Sequence, residues 1–81
     1  MARRQAYVFG GGGHARVVAS MLRADVAVHF VVPQVEASGS MSEDDYFARI
    51  GELGRHPVYL GIGSNAVRGR IHERLKSRGV T

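Results

Sequence analysis

Four consecutive glycines, Gly10 to Gly13, constrain the fold of this chain more than any other feature. Residues 5–9, before them, are rich in β-forming side chains, and apolar residues recur at helical spacing after them. Glycine lets the chain turn sharply because it has no Cβ. We therefore predict a buried strand over 5–9, a tight turn, and a helix over 14–24. The apolar stripe of that helix would be Val17, Val18, Met21 and Leu22.

The middle of the chain predicts a second strand and a short helix. Residues 26–32 are β-branched and almost continuously apolar, and the proline at position 33 ends them. Residues 34–41 are the loosest stretch of the sequence. Ser42 then predicts a helix N-cap, because acidic residues fill the following turn, and the helix should cover 43–50.

The last third predicts another strand and another helix. Residues 58–62 form a third buried strand that ends on Gly63. The final helix should span 65–78, with Gly79 at the position that follows a helix end. Its apolar stripe would be Val67, Ile71 and Leu75.

The predicted order is strand, helix, strand, helix, strand, helix, without a hairpin dipeptide between strands. Such an order favours an α/β fold with a parallel sheet, right-handed crossovers and helices on both faces. We therefore expect a small Rossmann-like three-layer βαβαβα unit. With the first strand central, both glycine loops would flank one crevice at the carboxyl edge of the sheet.

Length and composition exclude several classes of protein. A chain of 81 residues forms one domain, so we take residues 1–81 as a single unit. The sequence has no cysteine, which excludes disulfides, thiolate zinc sites and cysteine nucleophiles and makes the cytoplasm the expected location. The longest apolar run is far shorter than the roughly 20 residues of a membrane span, so we expect none. The net charge of +4 permits an anionic ligand.

The first glycine loop is the strongest candidate for a binding site. Residues 10–15 fit the pattern G-x-G-x-x-G/A between a predicted strand and a predicted helix. Backbone N–H groups and the start of a helix favour phosphate at such a loop. Residues 61–65 form a second glycine loop of the same kind. Two structural alternatives stay open: the glycines serve only the turns, and Ser64 and Asn65 only cap the last helix.

Other readings of the chain have less support. A dinucleotide site needs an acid at the end of the second strand, and the first acid there, Glu36, lies beyond the proline. No Lys-Ser or Lys-Thr follows the glycines, so this is not a P-loop. The histidines lack acidic partners at ligand spacing, so we predict no metal site and no catalytic set. The basic residues of the last helix fit a solvated outer face, and without interleaved aromatic residues they do not predict nucleic-acid binding.

Both glycine loops resemble those of one enzyme family. The segment YVFGGGGHARVV, residues 7–18, resembles the Gly-x-x-Gly-His opening of sugar O- and N-acyltransferases of the sialic acid O-acetyltransferase and bacillosamine-pathway acetyltransferase type. The segment GIGSNAVR, residues 61–68, is similar to their Ile-Gly-Asn-Asn or Ile-Gly-Asp-Asn segment with its following arginine. The resemblance covers the whole chain but only the first of the family's two domains.

The resemblance implies a substrate-binding role. In this family the N-terminal Rossmann-like domain binds a nucleotide-linked sugar, commonly a UDP-amino sugar. A C-terminal left-handed β-helix of hexapeptide repeats binds acetyl-CoA, supplies the catalytic histidine and assembles the trimer. The residues here that would contact the nucleotide sugar are Gly11, Gly12, Gly13 and His14 on one wall, and Gly63, Ser64, Asn65 and Arg68 on the other.

The resemblance also implies that this chain is not catalytic alone, that acetyl-CoA binds at the missing β-helix domain, and that the chain by itself is a monomer. One departure from the family lies at the end of the second strand, where Val32, Pro33 and Gln34 stand in place of the paired aspartates that often hold the base or ribose. Two other functions stay open: the opening half of an NAD(P)-dependent oxidoreductase, and a non-catalytic interaction module.

Overall fold

The computed structural model of the chain describes residues 4–22, 25–33 and 40–80. In chain order its elements are β1 (Arg4–Phe9), α1 (Gly13–Ser20), β2 (Val26–Val32), β3 (Ser40–Ser42), α2 (Glu43–Ala48), α3 (Ile50–Leu53), β4 (Val58–Leu60) and α4 (Asn65–Ser77). No helix within these described residues is long and apolar enough to cross a membrane.

The four strands form one sheet in the order β3-β2-β1-β4. Every pairing is parallel, and Phe9 of β1 lies beside Val31 of β2 and Leu60 of β4. The predicted parallel sheet with the first strand in its centre is therefore confirmed. Because the strands run in the same direction, the segments that follow β1 and β4 leave the sheet at the same edge.

Helices cover both faces of the sheet, as expected for a Rossmann-like unit. Side chains alternate along a strand, so Tyr7 and Phe9 lie on one face of β1 while Ala6 and Val8 lie on the other. The first face packs against α2, α3 and α4 in a core that includes Tyr46, Leu53, Ile71 and Leu75. On the second face lies α1, whose Ala15 is fully buried.

The core is rich in aromatic contacts. Tyr46 packs edge-on against Phe9, with ring centroids 5.0 Å apart, and against Phe47 at 5.4 Å. The Tyr46 hydroxyl is buried without a hydrogen-bond partner among the described residues, and burial together with Tyr7 raises its pKa to about 12. Outside the core, Arg74 of α4 lies 3.9 Å from the centre of the Phe47 ring and holds α4 against α2.

Two predicted helix ends are confirmed in detail. The Ser42 hydroxyl accepts the N–H of Asp45 at 3.1 Å, which is the predicted N-cap of the short helix. Gly79 follows α4 with a φ of +81°, a backbone conformation that glycine adopts without strain. The N–H of Val80 returns to the Leu75 carbonyl at 3.0 Å, so the last carbonyls of α4 are bonded.

The structure corrects several predicted boundaries. Ser40–Ser42 is a strand, although 34–41 had been predicted as a loose stretch, and residues 34–39 lie outside the described part of the chain. The predicted helix over 43–50 is two short helices, because Arg49 leaves helical geometry with a φ of −107° and a ψ of 20°. The third strand ends at Leu60 rather than at 62, since Gly61 and the residues after it turn toward α4. The first helix ends at Ser20, and residues 23 and 24 of its predicted range are not described.

The predicted stripe of the first helix is wrong at two positions. Val17 and Met21 are 59% and 78% exposed, and the residue of α1 that is fully buried is Ala15. Small side chains face the sheet here because the helix starts very close to the strand ends. In α4 the prediction holds at Ile71 and Leu75, which are buried, but Val67 is 36% exposed at the rim of the sheet.

Candidate functional site

The two glycine loops lie side by side at the carboxyl edge of the sheet. The first follows β1 and leads into α1, and the second follows the neighbouring strand β4 and leads into α4. Both helices therefore begin at this edge. The structure places side by side the two loops that the sequence predicted to flank one crevice.

One glycine of each loop is required by packing. A Cβ at Gly10 would lie 2.5 Å from the Gly61 carbonyl oxygen, and a Cβ at Gly61 would lie 2.5 Å from the Ala15 Cα. Gly10 also has a φ of +120°, a conformation that L side chains rarely adopt. Its N–H donates to the Val31 carbonyl at 2.8 Å, so the loop is fixed to the end of β2. The packing of the loops is thus a sufficient reason for glycine at Gly10 and Gly61, without a ligand.

Gly11 is restricted less strictly than Gly10 and Gly61. A Cβ there would lie 2.9 Å from the Val32 Cγ1 atom, which is part of a side chain rather than of the backbone. A side chain at position 11 would therefore displace Val32 and disturb the end of β2.

The remaining loop glycines have no steric neighbour. A Cβ added at Gly12, Gly13 or Gly63 would meet nothing within 4 Å. All three are exposed, and none has a positive φ. Neither packing nor backbone geometry in the described structure requires glycine at these positions. Because these three residues have no side chain, their backbone atoms are accessible from solvent.

The N-terminus of α1 has no side-chain cap. Gly12 is the N-cap residue, with a φ of −91° and a ψ of −167°, and no side chain of the described residues accepts a hydrogen bond from the first turn. The first intrahelical bond runs from the Arg16 N–H to the Gly12 carbonyl at 3.2 Å. The N–H groups of Gly13, His14 and Ala15 precede that bond, and such groups at a helix start have no partner within the helix.

His14 lies on the exposed surface of this first turn. Its ring makes no hydrogen bond, ion pair or ring contact with the described residues. Neither a packing role nor a capping role for His14 is present among the described residues. The imidazole is exposed at the start of α1.

The N-terminus of α4 is built differently. The Ser64 hydroxyl accepts the N–H of Val67 at 3.3 Å, so Ser64 is the helix cap. The Arg68 guanidinium donates to the Asn65 side-chain oxygen and, at 3.5 Å, to the Ile62 carbonyl. Ser64 and Asn65 thus have structural partners, and Arg68 is held across the start of α4 with donors to spare, since a guanidinium has five N–H groups.

The charge of the two glycine loops favours an anion. Each helix start contributes about half a positive charge. Arg16 and Arg68 stand in the first turns, and no acidic residue occurs in 10–16 or 61–68. The described part of the chain holds no cluster of three metal-ligating side chains.

The end of β2 lies beside the first glycine loop. Val32 faces Gly11, and Pro33 is exposed next to it, so neither residue supplies the carboxylate that would hold a ribose. Gln34 and Glu36, the next polar residues, lie outside the described residues. The two loops meet at Ala15. The sequence signal for this role is only the position of Ala15 at the end of the glycine pattern.

No family model matches the chain, and neither a curated protein nor a solved structure similar to it was found.

Proposed function

We propose that this chain is the substrate-binding domain of a sugar acyltransferase, and that its glycine loops bind the phosphates of a nucleotide-linked amino sugar. The observation that carries the proposal is the set of loop glycines at which a side chain would meet no neighbour. Gly12, Gly13 and Gly63 are exposed and open, and nothing in the described structure needs glycine there. A ligand that approaches the backbone closely is the physical reason for such residues.

The geometry supports a division of labour between the two walls. The uncapped start of α1 supplies N–H donors for a phosphate, in the way that helix N-termini bind anions. His14 stands beside them and can hydrogen-bond a sugar hydroxyl or a phosphate oxygen. Arg68 adds a permanent positive charge on the opposite wall. Ser64 and Asn65, which the resemblance placed in the site, serve chiefly to shape α4 and to hold Arg68.

The acyl transfer itself belongs to another domain in this proposal. By resemblance, acetyl-CoA and the catalytic histidine reside in a β-helix of hexapeptide repeats, and the chain alone binds its substrate without turning it over. The cytoplasm is the proposed location, because nucleotide-linked sugars and acyl-CoA are both available there. The proposal gives no role to nucleic acid.

An amide NMR titration of the chain tests this function. A UDP-amino sugar, UMP and NAD are added in parallel at one low salt concentration, since phosphate contacts weaken as salt is raised. We expect shifts at Gly12, Gly13 and Gly63 with the UDP compounds and none with NAD. Shifts with NAD alone would assign the chain to the oxidoreductases. Silence from all three ligands would leave the loops as structure only and reject the proposal.

A further inference from the structure

A notch lies at the amino edge of the sheet, opposite the glycine loops. β1 begins at Arg4, but β4 begins only at Val58, which pairs with Tyr7. The first three residues of β1 therefore have no β4 residue beside them. Pro57 stops the pairing because its nitrogen carries no hydrogen. The six residues of β1 separate this notch from the glycine loops by roughly 17–20 Å.

The notch is large enough for a small molecule and mostly apolar. Its volume is about 550 Å³, within the range of roughly 300–1,000 Å³ that is usual for small-molecule sites. Its apolar lining comes from Ala6, Met21, Leu22, Val26, Pro57 and Tyr59. Met21 and Tyr59 are 78% and 39% exposed, so a ligand in the notch would remove apolar surface from water.

Arg4 is the one permanently charged residue among the described residues that line the notch. Arg4 lines it and is exposed, and its guanidinium has no ion pair or hydrogen bond within the described residues. The end of α1 lies beside the notch with a partial negative charge of about one half. Its last carbonyls are already bonded, since the N–H groups of Met21 and Leu22 return to Val18 and Ala19. The full charge of Arg4 therefore favours a negatively charged group in the notch.

We propose that this notch is a second binding site, and that it takes a small amphipathic carboxylate. The carboxylate pairs with Arg4, and the apolar part of the molecule lies along Met21, Val26 and Tyr59. Gln5 and His56 complete the lining of the notch. This site shares no residue with the glycine loops, so it stands or falls independently of the function proposed for them.

The test is an amide NMR titration with decanoate, below the concentration at which it forms micelles, and with decanol as its uncharged counterpart. We expect saturable shifts at Ala6, Val26 and Tyr59 and stronger binding of decanoate than of decanol. Arg4→Gln should weaken decanoate about three- to fivefold, the size of an exposed charge pair, and leave decanol unchanged. Arg78→Gln, which removes the same charge at the end of α4, on the opposite face of the sheet from the notch, is the matched control and should leave both affinities as they are.

Tyr59→Ser removes an apolar wall and should weaken both probes, while far-ultraviolet circular dichroism verifies that the variant is folded. Equal affinity for decanoate and decanol in the unaltered chain would overturn the proposal, as would equal loss in the Arg4 and Arg78 variants. Shifts that rise linearly without saturation, or that appear only at Gly12 to His14, would also overturn it.

Discussion

Gly10 and Gly61 differ from Gly12 and Gly63 in their surroundings, although each loop contains glycines of both kinds. A Cβ at Gly10 or Gly61 would lie 2.5 Å from backbone atoms, whereas a Cβ at Gly12 or Gly63 would meet nothing within 4 Å. A glycine-rich loop is therefore not one feature with one explanation. Close approach of the two loops explains the first pair, and access for a ligand is our explanation for the second.

The two helix starts show the same contrast. α4 begins with a serine whose hydroxyl accepts a hydrogen bond from the first turn, whereas α1 begins with a glycine that offers no such acceptor. A side-chain cap occupies the donors that an anion would use. In our proposal the first loop is therefore the main anion site, and the second loop supports it.

Substitution of Gly61 should have the largest effect on stability. Gly61→Ala places a methyl group against the Ala15 backbone, which must move, so we expect the free energy of unfolding to fall by about 3 kcal/mol. Urea unfolding followed by circular dichroism measures this loss. Gly63→Ala, two positions further along the same loop, is the matched control and should change stability by less than about 0.5 kcal/mol. Equal losses in the two variants would remove the distinction between packed and open glycines.

Loss of the α4 cap should be the next largest effect. Ser64→Ala removes the acceptor for the Val67 N–H, and we expect a loss of about 1 kcal/mol in the free energy of unfolding. Affinity for a UDP-amino sugar should change little, because the hydroxyl is engaged with the helix. A large loss of affinity with unchanged stability would instead make Ser64 a ligand contact.

Gly13→Ala should stabilise the chain. Gly13 is the first residue of α1, and alanine is favoured over glycine in a helix by about 0.5–1 kcal/mol. The open space around it should accommodate the methyl group in the free protein. Thermal unfolding should therefore shift upward while affinity for the nucleotide sugar falls. A destabilised variant would show that Gly13 is packed after all.

His14→Ala should have the smallest effect on stability. Its ring makes no described contact, so the free energy of unfolding should change by less than about 0.5 kcal/mol. Affinity for a UDP-amino sugar should fall about three- to tenfold, the usual size of one or two hydrogen bonds. Calorimetric titration at fixed salt gives the comparison with the unaltered chain. An unchanged affinity would exclude His14 from the site.

The sequence was sufficient to predict the parallel sheet and its central strand. The runs at 5–9 and 26–32 are apolar and end in glycine or proline, which terminate strands. Such signals depend on neighbouring residues, so they hold in the folded chain. The caps at Ser42 and Gly79 were predictable for the same reason, since a cap depends on a few neighbouring residues.

The features that could not be predicted from the sequence depend on contacts between residues that are far apart along the chain. The inward face of α1 is set by the approach of Ala15 to Gly61, which are far apart along the chain. Spacing alone therefore placed Val17 and Met21 on the wrong side. The same limit applies to the glycines, because the pattern at 10–13 shows four identical residues, and only their surroundings separate Gly10 from Gly12.

Gly12→Asp tests the central claim most directly. The φ and ψ angles at Gly12 suit any residue, and aspartate is a preferred N-cap, so its carboxylate should accept the unbonded N–H groups of α1. The account predicts that urea unfolding shows equal or higher stability while affinity for a UDP-amino sugar falls at least about tenfold, because the carboxylate takes the place of the phosphate. Unchanged affinity in a stable Gly12→Asp variant would contradict the account.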